Sequence, residues 1–178
     1  IDPKARSATA KNHTATHLLH AALKEVLGSH VSQKGSLVSP ERLRFDFTHT
    51  GALTAAELST LEQKINERIW KDSPVQNEIM PLEKALASGA VALFDEKYGA
   101  VARVISIADY SKELCGGTHL LRTGEIGLFK IVKESSVAAG VRRMEAYTGY
   151  RALRHVAEIE ERMKEIYREY GVDVEVAR

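Results

Sequence analysis

Residues 11 to 28 read K-N-H-T-A-T-H-L-L-H-A-A-L-K-E-V-L-G. Ala and Leu dominate and no proline interrupts them. The stretch predicts a helix from about Ser7 to Leu27, with Gly28 free to adopt the left-handed backbone that ends it. At about 100° per residue, Ala15, Leu19, Ala22, Leu23 and Val26 form one apolar arc. His13 and His17, one turn apart, sit nearly opposite that arc. They therefore face either solvent or a covered polar site. His20, one turn further on, is read as a surface histidine, with a role behind a metal ligand as the alternative.

The order of elements after this helix decides the fold class. His30 to Pro40 reads as a polar loop. "LRFDF", residues 43 to 47, alternates like a half-buried strand. Thr54 and Glu57 form a capping-box signature for a helix whose Leu58, Leu61, Ile65 and Ile69 make a core stripe. "SPVQNEIMP", residues 73 to 81, reads as a strand bracketed by prolines, and Leu82 to Ser88 as a short helix. "AVARVISI", residues 100 to 107, reads as a strand. "LFKIVKESSVA" and "VRRMEAY" read as two more, joined around Gly140. A helix first, then irregularly mixed strands and helices, argues α+β rather than a doubly wound sheet.

The ends differ from the middle. Residues 1–6 read as a linker, residues 7–150 as the domain, and residues 151–178 as a helical exit segment. In the last of these, Val156, Ile159, Met163, Ile166 and Tyr170 follow a 3-4-3-4 rhythm, a short heptad seam. Two readings stand: a helix that leaves the domain and offers a surface for oligomerisation, or a terminal helix packed on its own domain. Ile1-Asp2-Pro3 replaces an initiator methionine, so the chain is expected to be a fragment of a longer protein.

Composition narrows the function classes. The chain has 178 residues, 44% hydrophobic and 28% charged, enough for a core in one domain. A net charge of +1 provides no long-range field for nucleic acid, so any such binding must come from a local patch. A single cysteine excludes a disulfide framework and fits a reducing cytoplasm. No apolar run approaches the ~20 residues of a membrane helix.

That single cysteine lies in "ELCGGTH", residues 113 to 119. Cys115 and His119 flank a Gly116-Gly117 turn. Two histidines on a rigid helix with a cysteine and a histidine on a loop supply four donors, enough for tetrahedral zinc. One thiolate with three imidazoles leaves the ion with net positive charge, as chemistry at the metal would need. The other reading is a closed zinc that staples loop to helix. His30, His49 and His155 carry no such spacing and read as loop or surface residues.

"NHTATHLLHAAL", "HVSQKGSLV", "LRFDF", "ELCGGTH", "TGEIG" and "GVRRMEAYTG", in this order from about Asn12 to Gly149, resemble the editing domain of alanyl-tRNA synthetases of bacterial type. Free-standing alanyl-tRNA editing proteins and the threonyl-tRNA synthetase editing domain share that fold. Thr118, where the threonyl branch typically carries proline, favours the alanyl branch. The resemblance implies the common editing-domain fold, with a mixed or antiparallel sheet, a long first helix and a C-terminal exit helix. It implies one zinc ion on His13, His17, Cys115 and His119, and a substrate pocket with Thr16, Gln33, Gly116 and Gly117. The glycine turn would lie near the terminal ribose. The implied reaction is hydrolysis of serine or glycine from the 3′ acceptor end of alanine tRNA, within a parent synthetase. Lys34, Arg44, Arg142 and Arg143 are candidates for tRNA phosphates. Adjacent strand residues point to opposite faces, so at most one of Arg142 and Arg143 serves. No general base is evident. Asp46 and His49 read as a strand-end ion pair and a loop histidine.

Overall fold

The computed structural model describes residues 2–92 and 98–171, so the last seven residues of the expected exit segment lie outside it. The chain opens with α1 (Pro3–Leu27), capped by Asp2, whose carboxylate accepts the Lys4 N–H at 2.8 Å. Pro3 suits a first helical turn, where no N–H partner is needed. The helix thus begins inside the stretch expected to be a linker. Gly28 ends it at φ 115°.

Strands β1 (Gln33–Val38) and β2 (Leu43–Thr48) come next, then α2 (Ala55–Trp70). The Thr54–Glu57 capping box closes as expected. After α2 come β3 (Val75–Pro81), α3 (Leu82–Ala87), β4 (Val101–Ile107) and β5 (Ser111–Leu114). A single 3-10 turn, Thr123–Ile126, precedes β6 (Phe129–Ala138), β7 (Val141–Thr148) and α4 (Gly149–Glu169). The polar loop expected over residues 30–40 is largely strand β1. Gln-Lys-Gly-Ser-Leu-Val lacks clean alternation because it is an edge strand with a register shift between Gln33 and Gly35.

The strands form two antiparallel sheets, β1-β2-β7-β6 and β3-β4-β5. The α+β class stands, with antiparallel ladders throughout the named strands. Leu43, Phe45, Phe47, Met144 and Ala146 on the larger sheet bury against Leu18, Leu19 and Leu23 of α1 and Leu61, Ile65 and Ile69 of α2. A smaller cluster of Ala85, Ala90, Ala102, Val104 and Leu114 lies against α3. Strand β4 serves both, with Ala102 and Val104 in the small cluster and Ile105 and Ile107 in the large one.

This arrangement encloses the middle of α1. The larger sheet covers its apolar arc, and β5 and the cysteine loop cover the histidine side. Asn12, Thr14, Thr16, His17 and His20 are buried there beside the leucines. His20, expected at the surface, is only 2% exposed. A one-sided amphipathic reading misses this, because the second cover is brought from far along the chain.

Helix α4 starts on the larger sheet. Ala152 is fully buried, Arg151 lies 4.4 Å over the Tyr147 ring, and His155 meets that ring edge-on. Further along, Ile159, Met163, Ile166 and Tyr170 are exposed. The seam is therefore open, against the reading of a helix packed along its own domain. Among the described residues no helix is long and apolar enough to cross a membrane.

Candidate metal centre

His13 and His17 reach out from α1 towards the loop that leaves β5. Two contacts of Arg103 shape that loop. Its carbonyl accepts the Cys115 N–H at 3.0 Å, and its guanidinium donates to the Gly117 carbonyl. At the far end the Leu120 N–H donates to Thr14 Oγ1 at 3.1 Å, which ties the loop back to α1. Gly117 is required by proximity. A Cβ there would lie 1.8 Å from Cε1 of His13, so only glycine allows the loop this close to the helix.

The result is one cluster. Nε2 of His13 lies 3.4 Å from Cys115 Sγ, and Nε2 of His119 lies 3.2 Å from it. The donor atoms of His13, His17, Cys115 and His119 all fall within 4.8 Å of one another. Tetrahedral zinc with ordinary Zn–N and Zn–S bonds sets its ligand atoms roughly 3.3–3.6 Å apart. The geometry therefore fits such an ion with small adjustments. Both ring nitrogens of His17 are buried without a hydrogen bond; Nδ1 has the Glu113 carboxylate 3.0 Å away, and Nε2 is an orphan that a metal ion would satisfy.

Burial pulls the His17 pKa down, but the Glu113 carboxylate and Cys115 prevail and raise it to about 10, so without an ion His17 holds a proton that a metal must displace. Burial alone would raise the Cys115 thiol, but hydrogen bonds to His119 and His13 and the positive charge of nearby His17 bring it down to about 3. Burial lowers the His119 pKa. The sulfur is thus held as the thiolate, the form that binds metal.

His13, His17 and Cys115 of the cluster line one wall of a cavity of about 410 Å³. Thr16, Gln33, Gly116 and Gly117 line it, together with Ser36 and Val38. Gln33 donates through Nε2 to Ser36 Oγ at 3.2 Å, and the Thr16 hydroxyl donates to the His13 carbonyl at 2.6 Å. Gln33, Ser36 and Val38 pair with Phe47, Phe45 and Leu43, so all three lie on the inward face of the sheet.

Residues 102–145 match the family model for the threonyl and alanyl tRNA synthetase second additional domain. Curated alanine–tRNA ligases match far more of the chain. That of Halorhodospira halophila is 56% identical over 166 residues, covering 93% of this chain and 19% of the relative. That of Thermotoga maritima is 56% identical over 169 residues, 93% of this chain and 20% of the relative. That of Geobacillus thermodenitrificans is 58% identical over 158 residues, 89% of this chain and 18% of the relative. This chain is an additional domain of the alanyl-tRNA synthetase type. It spans about a fifth of the length of the ligases it matches.

Within this synthetase-type domain, the candidate tRNA contacts are scattered. Arg142 pairs with Glu134 (Nη2–Oε2 2.7 Å), and Arg143 pairs through both nitrogens with Asp46 at 2.7 and 2.8 Å. They do lie on opposite faces, Arg142 opposite Phe47 on the inward face and Arg143 opposite Asp46 on the outward one. Arg44 lies 3.9 Å from Asp46. Asp46 is mid-strand rather than at a strand end, and it is buried. Lys34 is exposed and, among the described residues, has no ion-pair partner. His30 and His49, expected as loop residues, contact each other at 3.0 Å on the surface.

Sequence reading missed four residues of this region: Thr14, Ser36, Val38 and Glu113. Period-two spacing could have found three of them. Ser36 and Val38 share a strand face, and Glu113 stands two residues before Cys115 on β5. Thr14 had no signal beyond its neighbour His13.

Proposed function

We propose that this domain hydrolyses the ester joining serine or glycine to the terminal adenosine of alanine tRNA, acting within a parent alanyl-tRNA synthetase in the cytoplasm. One zinc ion would sit on His13, His17, Cys115 and His119. The observation that carries this reading is that the cluster borders an open cavity of about 410 Å³, room for an amino acid together with part of the terminal nucleoside. The relatives, named as alanine–tRNA ligases, support the choice of tRNA.

Such an activity answers a physical need. An alanine pocket cannot exclude the smaller glycine, and it rejects serine only weakly. A second site that binds the serine hydroxyl discriminates better, because alanine leaves a buried partner unpaired at about 1–3 kcal/mol. Thr16, Gln33 and Ser36 carry the polar groups for that reading, and Val38 limits the size of the side chain. Gly116 and Gly117 bring backbone close to the cavity, where the terminal ribose would enter. An aminoacyl ester is already activated, so positioning of a water and of the carbonyl is the main demand on the site. Bound zinc supplies positive charge next to the substrate. Four protein donors fill a tetrahedral shell, which favours an orienting role for the metal.

That filled shell also favours a second reading, a zinc-stapled RNA-binding module without catalysis. The two separate on mischarged tRNA. The expected result is release of serine from Ser-tRNA(Ala) well above the rate in buffer, with Ala-tRNA(Ala) spared. Binding of Ser-tRNA(Ala) with turnover equal to buffer, both in this domain and in the intact parent, would leave only the module.

A further inference from the structure

Glu113 is buried at 7% exposure with both carboxylate oxygens engaged. Its Oε2 lies 3.0 Å from His17 Nδ1. Its Oε1 accepts from His20 Nδ1 at 3.1 Å and from Ser111 Oγ at 3.1 Å. A buried carboxylate is costly unless it is paired, and these contacts pair it. They engage about three of the carboxylate's four lone-pair sites and turn it towards two histidines of α1.

A carboxylate only accepts. A histidine that gives up one proton to bind a metal beside it therefore keeps N–H at Nδ1 and offers the lone pair of Nε2. Neither ring nitrogen of His17 forms a hydrogen bond of good geometry, but Nδ1 lies in ion-pair contact with Glu113 at 3.0 Å, which leaves Nε2 as the nitrogen for a metal. Thr14 Oγ1 lies 3.4 Å from His119 Nδ1 while Nε2 faces Cys115, but a hydroxyl donates as readily as it accepts and does not select that tautomer.

We propose that Glu113 is a positioning residue that holds His17 as the Nδ1–H tautomer with Nε2 turned to the metal, and that it clamps His20 with its other oxygen so that α1 and β5 stay locked behind the site. This rests on the zinc reading above. Such partners typically account for 10–100-fold in metal affinity.

The test has two arms. In the zinc-loaded wild-type chain, ¹⁵N–¹H correlation spectra of labelled histidine should show His17 protonated at Nδ1 and coordinated through Nε2. Coordination through Nδ1 overturns the proposal without any mutation, and so decides the matter if a variant fails to fold. In the second arm, zinc affinity is measured by chelator competition for wild type, Glu113→Gln and Cys115→Ala. Glu113→Gln should bind about 10–100-fold more weakly. With cobalt in place of zinc it should keep the absorption bands of a tetrahedral site with one thiolate, which shows the ligands intact. Equal affinity in Glu113→Gln, with Cys115→Ala metal-free, overturns the positioning role and spares the metal centre. Wild-type zinc affinity in Cys115→Ala overturns the metal centre itself, and the proposal with it.

Discussion

At the scale of single residues, the loop owes its approach to α1 to one missing methyl group. Gly117 is in contact with His13, and no rotation of a new methyl group avoids a ring whose Cε1 would be 1.8 Å away. Gly117→Ala should therefore fold around its unaffected core but push the loop off the helix. We expect zinc stoichiometry to fall far below one, with Tm in chelator changed little. Gly116→Ala is the control, since nothing lies within 4 Å of its added Cβ. Retention of full zinc by Gly117→Ala would show that the loop approaches less closely. Tyr110 gives a pH prediction of a different kind. Its hydroxyl is buried without a partner, under the Arg68 guanidinium 4.1 Å from the ring centre. Burial pushes its pKa from 10.0 up to about 12. The folded state thus favours the neutral phenol, and the unfolded chain ionises first. The stability it contributes is complete below pH 10 and is lost as pH rises towards about 12. Tyr110→Phe should be neutral or up to about 1 kcal/mol more stable at pH 7, with an advantage that widens above pH 10. Urea unfolding at pH 7 and pH 11 measures both.

At the scale of elements, one side chain joins α2 to the larger sheet. Asn66 is buried and donates through Nδ2 to the Phe129 carbonyl at 2.9 Å, while its Oδ1 accepts the Phe129 N–H at 2.9 Å. It thereby completes the edge strand β6 as another strand would. Asn66→Ala orphans both backbone groups and should cost about 2–4 kcal/mol, read as a lower urea midpoint with unchanged slope. A loss under about 0.5 kcal/mol would mean that water replaces the amide. Asn66 also shows where the sequence stops being legible. The capping box, the α2 stripe and the strands β2, β3, β4, β6 and β7 stand out because each is a local pattern. Thr54 meets Glu57 three residues on, and the leucines and isoleucines recur every turn. Strand β5 is only four residues long and β1 is irregular, so neither carries a period to read. The candidate metal ligands are legible because each pair shares a short spacing that brings two donors to one side. The carboxylate behind them and the asparagine in the core are not, because each partner lies far along the chain. His20 and Glu113 are 93 residues apart.

At the scale of the whole molecule, charge and metal act on different questions. Arg142, Arg143 and Arg42 are each paired with a carboxylate on the larger sheet, so among the described residues these three add no unpaired positive charge there. Affinity for the tRNA backbone from this domain alone should accordingly be weak and fall little with salt. A bound metal ion, by contrast, would add a link between parts otherwise joined by the shared core and by Glu113 and Thr14. Two donors come from α1, which belongs to the main core, and two from the loop that leaves the smaller sheet. An ion bound there stabilises only the arrangement in which both are docked. Free zinc at a hundredfold excess over Kd should add about 2.7 kcal/mol, or roughly 5–10 °C in Tm for a domain of this size. Chelator should remove the gain in wild type, and Cys115→Ala should melt at one temperature with or without zinc. The open seam of α4 lies outside this linkage, so hydrogen exchange along Ile159 to Tyr170 should be fast in both states. Slowing in the α1 amides around His13 and His17 on zinc addition, with no change in α4, would locate the stabilisation at the site. A uniform slowing would instead mean that the metal acts on global unfolding alone.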